Sequence, residues 1–231
     1  NSSKGVYFTN SINETVDTVK DLIRKYCLSA SRYPQVEELV TGEGWGCSYL
    51  FWHGKKIAHF SHRRLREKLI TGGPSTLRES HHNPTLISLG QRLLENIGWH
   101  GLAMVEFKFN PKTGSYWFIE VNPRLWGSLP LSISAGVEFP YLAYLCSTVG
   151  PQTAKNEFEK IICNDGWISR WLLGDIFLAF TQLIKLNFLD AGRTLFNSNA
   201  NYLDDIHNDD LPVFFGQALH YAHKSAMHLS L

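Results

Sequence analysis

Two strand-like segments joined by a short turn constrain the fold of this chain more than any other feature. Residues 101–109 (GLAMVEFKF) and Ser115–Asn122 (SYWFIEVN) are rich in β-branched and aromatic residues, which favour strands. The NPKTG sequence between them is turn-like, and Gly114 can adopt the positive φ that a three-residue hairpin loop requires. Counting back along the strands from that loop places Glu106 opposite Glu120.

This pairing brings two carboxylates together. Carboxylates that face each other in a hairpin repel and destabilise it. Asn122 shares the face of Glu120, because side chains alternate along a strand. Carboxylate and amide oxygens are ligands that Mg²⁺ accepts, so Glu106, Glu120 and Asn122 form a candidate Mg²⁺ or Mn²⁺ site. The alternatives are an edge hairpin with one or both Glu in solvent, or one salt bridge, Glu120 with Arg124 or Glu106 with Lys108.

The sequence around these residues resembles the ATP-grasp superfamily, and the likeness is greatest to its carbamoyl-phosphate-synthase-like and biotin-carboxylase-like branches. It rests on a G-x-x-x-x-E-F strand followed, after the hairpin, by F-I-E-V-N-P-R, and it extends over about residues 2–144. The resemblance implies that Glu106, Glu120 and Asn122 ligate the Mg²⁺ ions that bridge the ATP phosphates. It also implies that Arg124 lies near the transferring phosphate or acyl phosphate.

The V-E-E-L-V-T-G-E sequence at 36–43 resembles the family's adenine-binding hinge, and a glycine-rich bend follows it. In the family, backbone groups of such a segment, here Glu38 to Val40, bind adenine, and a following acid holds the ribose. We assign Glu43 to the ribose, with Glu37 or Glu38 next to the adenine amino group. Taken alone, E-E-L-V is also common on protein surfaces.

A short loop at the start of the chain is the candidate phosphate-covering loop. It contains Ser3, Lys4 and Gly5, and backbone N–H groups in such loops cradle phosphates. The alternative is a loose N-terminus.

A basic cluster at 62–67 (HRRLRE) is a candidate for contact with the γ-phosphate or the substrate carboxylate, as in carboxylate-ligase relatives. Arginine suits this role because its planar fork makes bidentate bonds to phosphate. Arg66 is the first candidate and Arg64 the second, and a solvated basic loop is the alternative.

The order of elements indicates an α+β chain with an antiparallel sheet and flanking helices, as in the ATP-grasp fold. We expect part of the small ATP-grasp subdomain with the adenine hinge at 1–60, the large subdomain with the metal site at 61–150, and a mainly helical appendage at 151–231. A hairpin is expected to turn at His53-Gly54, and 71–80 to form a loop. The predicted helices begin after Ser11 and span 84–96, 129–135, a segment from Pro140, 167–189 and 214–229.

Composition narrows the class of protein. A net charge of +1 gives no electrostatic argument for nucleic acid or an acidic membrane surface. The four cysteines are scattered without a C-x-x-C, which is typical of reduced thiols in the cytoplasm. The most apolar segment, 167–189, is interrupted by charges and is too polar for a membrane span.

The resemblance implies an ATP-dependent ligase that joins a small-molecule carboxylate to an amine or related nucleophile through an acyl phosphate. The alternative is a nucleotide-binding module without chemistry. The family's phosphate-contacting lysine strand and preceding Rossmann-like domain are not found in the sequence. We therefore expect a fold that is incomplete at its N-terminus, weak ATP binding by this chain alone and a possible homo-oligomer.

Overall fold

The computed structural model describes residues 6–67, 74–207 and 209–229. The chain divides into two compact units, Asn1–Val40 and Thr41–Leu231. The first unit contains α1 (Ile12–Tyr26) and a 3₁₀ helix (Ala30–Arg32). As the sequence predicts, Ser11 caps α1, because its hydroxyl accepts the backbone N–H of Glu14 at 3.2 Å.

The second unit is built on a seven-stranded sheet in the order β5-β4-β1-β2-β3-β6-β7. All neighbours are antiparallel except β6 and β7, which are parallel. This arrangement, with flanking helices, confirms the predicted α+β class. The strands are β1 (Glu43–Trp52), β2 (Lys55–Glu67), β3 (Ser75–Ser80), β4 (Gly101–Asn110), β5 (Ser115–Asn122), β6 (Ile168–Arg170) and β7 (Tyr202–Leu203).

Helices cover both faces of the sheet, and each face has its own core. On one face Tyr49 and Val105 pack with Leu86 and Leu94 of the helix that follows β3. On the other face Phe60 and its neighbours pack against the helices between β5 and β6. The helices of this unit are α2 (Pro84–Asn96), α3 (Leu129–Ser134), α4 (Phe139–Thr148), α5 (Pro151–Glu159), α6 (Leu172–Ile184), α7 (Phe188–Phe196) and α8 (Leu211–Leu229).

The β1–β2 hairpin turns at His53-Gly54, as predicted. Both residues have positive φ, 47° and 76°, which a two-residue hairpin turn favours because its twist matches that of the strands. The expected glycine-rich bend after the hinge is wrong in part, because Gly44 and Gly46 lie inside β1.

The β4–β5 hairpin pairs Glu106 with Glu120 as predicted, although its loop length and its register differ from the prediction. Asn110 pairs with Ser115, so the loop has four residues where the sequence analysis expected three. A bulge between Phe107 and Glu106 then shifts the register by one residue, so that Glu106 pairs with Glu120. The two differences cancel, and the two carboxylates face each other as predicted.

The C-terminal region differs most from the prediction. A single helix over 167–189 is wrong, because Ile168–Arg170 pairs with β3 as β6 and the following helix ends before Leu186, whose φ is 59°. The predicted loop at 71–80 is also wrong where β3 occupies Ser75–Ser80, while 68–73 lie outside the described residues. The expected helical appendage therefore contributes two strands to the sheet, and its last helix, α8, confirms the helix expected at 214–229.

Candidate functional site

The paired carboxylates converge on one amide side chain. The Asn122 amide nitrogen donates to Glu106 Oε1 at 3.1 Å and to Glu120 Oε1 at 2.8 Å. Glu106 retains 16% of its side-chain exposure, Asn122 is buried and Glu120 is exposed. The bulge in β4–β5 and the alternation of side chains along β5 thus place three oxygen-bearing groups together, with one open side.

Arg64 reaches this group from β2 by crossing over β1. Its Nη2 lies 2.5 Å from Glu106 Oε2, and its Nη1 lies 3.7 Å from Glu67 Oε1. The crossing depends on Gly44, where a Cβ atom would lie 2.9 Å from Arg64 Cδ and 2.8 Å from Glu67 Oε1. Glycine in β1 therefore leaves room for a guanidinium to span two strands.

Arg66, the first of the two arginine candidates, lies away from the Glu106 group (Glu106, Glu120 and Asn122). A bulge at Leu65 breaks the alternation of β2, so Arg66 does not follow the direction of Arg64. Its guanidinium donates to Asp175 at 2.6 Å and to the Thr194 carbonyl at 2.9 Å. The structure thus brings Arg64, and not Arg66, to the Glu106 group, and the role predicted for Arg66 stays a prediction.

Arg124 lies beside the three oxygen-bearing groups. Its Nη2 donates to Asn122 Oδ1 at 3.0 Å and its Nη1 to the Leu125 carbonyl at 3.0 Å. The side chain is otherwise exposed. Neither alternative salt bridge of the sequence analysis forms between these described residues: Lys108 pairs with Glu67 at 3.6 Å, and Arg124 binds the amide rather than Glu120.

The electrostatics of Glu106 reflect this crowding. Burial raises the pKa of the Glu106 carboxyl, the Arg64 guanidinium opposes that rise, and the neighbouring Glu120 carboxylate adds to it. Glu106 is thus a carboxylate that gains from a further positive charge.

The residues fit a hard divalent cation that is shared with other ligands. Their donors are carboxylate and amide oxygens, which Mg²⁺ prefers, and Mg²⁺ is usually held by one or two carboxylates together with phosphates. In the part of the chain that the structure describes, no group of three or more His, Cys, Asp and Glu side chains could hold a metal ion alone. Ligation by Asn122 requires its amide to turn, because its nitrogen faces the carboxylates and its oxygen faces Arg124.

The remaining residues predicted for the nucleotide are not brought together by these contacts. Glu37, Glu38 and Val40 lie in the first unit, in a stretch without helix or strand, and both glutamates are exposed. Glu43 is the first residue of β1 in the second unit and is also exposed. The phosphate-loop residues Ser3, Lys4 and Gly5 lie outside the described residues. These assignments stay predictions.

Two buried polar side chains lie next to Arg64: sequence reasoning missed Arg78, and it gave His62 no role of its own within the basic cluster. Arg78, opposite Arg64 on β3, is only 2% exposed, donates to the Gly127 carbonyl at 2.8 Å and pairs with Asp204. His62 is 1% exposed, and burial lowers its pKa to about 3, with further lowering by the two arginines. The sequence carries little signal for either, because Arg78 was expected in a loop and its partner lies 126 residues away.

A match to a protein-family model shows which family this chain belongs to. The model described as ATP-grasp in the biosynthetic pathway with Ter operon matches residues 36–164, more than half of the chain. This chain belongs to the ATP-grasp family. The matched span contains every residue of the β4–β5 hairpin and β2.

Individual relatives are more distant. Acetyl-CoA carboxylase 2 of Oryza sativa subsp. japonica is 35% identical over 70 residues, 30% of this chain and 3% of that protein. The phosphoribosylglycinamide synthetase of Anaerococcus prevotii shares the fold with a TM-score of 0.52 at 11% identity, over 72% of this chain and 43% of that one. The pyruvate carboxylase of Rhizobium etli matches with a TM-score of 0.47 at 18% identity, over 61% and 15%. The chain thus spans a small share of the carboxylases it matches.

None of the described helices is both long and apolar enough to cross a bilayer.

Proposed function

We propose that this chain binds Mg²⁺ together with the phosphates of ATP and supports ligation of a small-molecule carboxylate to an amine or related nucleophile through an acyl phosphate. Its membership of the ATP-grasp family supports an ATP-dependent ligase in general terms. The observation that carries the finer proposal is the convergence of Glu106, Glu120 and Asn122 with Arg64 and Arg124, where Glu120 and Arg124 are exposed.

Each residue has a distinct part in this proposal. Glu106, Glu120 and Asn122 would hold Mg²⁺, which supplies positive charge where the phosphate oxygens bind. Arg124 is exposed, and the Asn122 amide separates it from the carboxylates. Its planar guanidinium can therefore bind a transferring phosphoryl group. Arg64 pairs with Glu106 and opposes the rise in its pKa that burial causes. Catalysis of this kind rests mainly on positioning and charge neutralisation.

The residues proposed for adenine and ribose lie in the segment before β1 and at the first residue of β1. We propose that backbone groups of Glu38 to Val40 bind adenine, with Glu37 or Glu38 near its amino group, and that Glu43 holds the ribose. Support comes from the family model, which begins at residue 36, and from the exposure of all three glutamates.

Arg124→Lys tests the role in transfer. A lysine keeps the positive charge but loses the bidentate fork, so we expect turnover to fall about 100-fold while ATP affinity changes by less than about threefold. ADP release is measured with a panel of carboxylates and amines, and ATP affinity by calorimetry. Arg63→Lys is the matched control, because Arg63 is also partly exposed but pairs with Glu79 of β3 and not with a member of the Glu106 group.

Equal losses of turnover and ATP affinity would show that Arg124 stabilises the bound ATP and the transition state equally, and so has no specific role in transfer. Binding of Mg-ATP without ADP release across the whole panel would favour the other candidate function, a nucleotide-binding module without chemistry.

A further inference from the structure

Helix α6 (Leu172–Ile184) has the composition of a buried helix, yet one of its faces is exposed. Its sequence, LLGDIFLAFTQLI, contains one charged residue, Asp175, and that residue is buried. A helix that is apolar on nearly every side is normally covered on every side. Leu173 and Ala179 are buried in this way, whereas Ile176 and Phe180 are exposed. The exposed face is therefore the part of α6 that its composition does not explain.

The exposed apolar residues of α6 form one stripe. They follow the i, i+4, i+7, i+8 spacing of a single helix face and are Ile176, Phe180, Leu183 and Ile184. The neighbouring helices contact α6 at other positions. Thr194 of α7 donates to Gln182 at 3.0 Å. The ring centroid of Tyr221 in α8 lies 5.4 Å from that of Phe177. Neither contact involves the stripe.

The apolar surface continues beyond the end of α6. Leu186, Phe188 and Leu189 follow the stripe in sequence and are 74%, 63% and 77% exposed. We call the stripe and these three residues together the α6 surface. If a fully exposed large apolar side chain presents about 150–200 Å², the seven residues present roughly 600–850 Å².

This area is large for a surface that stays in water. The largest apolar patch on a typical monomer covers about 300–600 Å², whereas each partner in a stable protein–protein complex buries about 800 Å². The α6 surface therefore has the area of one half of a stable interface.

The composition of the α6 surface distinguishes between candidate occupants. A helix that binds to the surface of a bilayer is rich in Lys and Arg on its polar face, and the segment 172–189 contains only Lys185. A partner that is selected by charge needs a charged patch, and the seven residues carry no charge. A second copy of the chain needs only the same apolar surface, because a two-fold interface is self-complementary. The composition therefore favours a second copy.

Antiparallel packing of two α6 helices makes the stripe complementary to itself. Its ends, Ile176 and Ile184, are about 12 Å apart along the helix axis. Phe180 lies midway between them, so a two-fold axis near Phe180 places Ile176 of each copy beside Ile184 of the other. We propose that the chain forms a two-fold homodimer through the α6 surface, with Phe180 at the centre of the interface. The α6 surface shares no residue with the Glu106 group, so this dimer does not depend on the ligase function.

Sedimentation equilibrium of the full chain tests the dimer. We expect a dissociation constant that is micromolar or lower, as for other interfaces of this size. Phe180→Asp buries two negative charges at the centre of the interface and should weaken dimerisation about 100-fold or more. Ile97→Asp is the matched control, because Ile97 follows α2 and is 57% exposed, against 59% for Phe180. It should dimerise as the parent chain does, and circular dichroism checks that each variant folds.

A charge swap at position 180 tests the two-fold geometry. Phe180→Lys should also dimerise poorly by itself, and it serves as the second variant if Phe180→Asp does not fold. An equal mixture of the two variants should form dimers at least about tenfold more tightly than either alone, because position 180 faces itself across the axis.

Three results would overturn the proposal. The first is a parent chain that stays monomeric at about 100 μM, whether or not it binds phosphatidylserine vesicles. The second is a folded Phe180→Asp or Phe180→Lys variant that dimerises as tightly as the parent chain. The third is a mixture of the two variants that associates no more tightly than its components.

Discussion

Charged side chains gather in two regions of the sheet, and the regions differ in how completely their charges are paired. In the first, which we call the carboxylate site (Glu106, Glu120, Asn122), two acids face each other and Arg64 pairs with only one of them. In the second, the Asp175 clamp, one fully buried acid accepts from Arg66 at 2.6 Å and from Arg170 at 2.7 Å.

The clamp uses its charges to hold the C-terminal helices. Arg170 donates to the Thr194 and Leu195 carbonyls and Arg66 to the Thr194 carbonyl, so both arginines bind the last turn of α7. Buried charges that are paired and hydrogen-bonded in this way are structural. The carboxylate site has an exposed acid and a like-charge pair instead. The same residue types thus stabilise the fold in one region and leave a place for a cation in the other.

The largest effect should come from the clamp. Asp175→Asn leaves the guanidinium groups of Arg66 and Arg170 without their shared countercharge, which we expect to lower the free energy of unfolding by about 3–5 kcal/mol. Chemical denaturation measures this change. Asp190→Asn is the control, because its pair with Arg193 is exposed and should contribute less than about 1 kcal/mol. If the two variants are equally stable, the clamp does not hold the C-terminal helices.

The second-largest effect on stability should come from a substitution at Gly46 in β1. A Cβ atom at Gly46 would clash with the His62 ring, which is buried beside Arg64, whereas a Cβ atom at Gly127 would meet nothing within 4 Å. We expect Gly46→Ala to cost about 1–3 kcal/mol of stability through overpacking. The thermal unfolding of Gly127→Ala should stay near that of the parent chain. A stable Gly46→Ala variant would show that Gly46 is not needed to accommodate the His62 ring.

The smallest effect concerns the pH dependence that Glu106 gives to the carboxylate site. Because the folded-state pKa of Glu106 is raised above its ordinary value of 4.5, the native state binds more protons than the unfolded state in the window between the two values. The free energy of unfolding should therefore fall as pH rises through that window and level off above it. Denaturation curves at several pH values measure the slope, and Glu106→Gln should remove its contribution. An unchanged slope in that variant would assign the pH dependence to other groups.

The carboxylate site could be predicted because its information is local. Alternation along the strands and a loop that Gly114 closes with a φ of 70° can be read from neighbouring residues, and the Glu106–Glu120 pairing depends on a bulge as well. The bulge could not be predicted, and it compensated for a loop length that was wrong by one residue. Capping and helix-start residues such as Ser11 and Pro84 also act locally, which is why α1 and α2 begin where expected.

The clamp could not be predicted because its partners are far apart in sequence. Arg66 and Asp175 are separated by 109 residues, and nothing near Arg66 indicates that a bulge turns it away from Arg64. The strand β6 has the same limitation, because Ile168–Arg170 contains only three residues, and only its pairing with β3 distinguishes it from the helix that follows.

The most direct test of the carboxylate site is the binding of Mn²⁺ in the presence of ATP, followed by electron paramagnetic resonance. Glu120 is exposed, so Glu120→Gln should leave the fold intact or slightly more stable, while relieving the like-charge pair. We predict that it weakens ATP-dependent Mn²⁺ binding by about tenfold or more, and that Glu95→Gln, an exposed change on α2, has no effect. Unchanged Mn²⁺ binding in a folded Glu120→Gln variant, or its failure to fold, would contradict the assignment of Glu106, Glu120 and Asn122 to a metal.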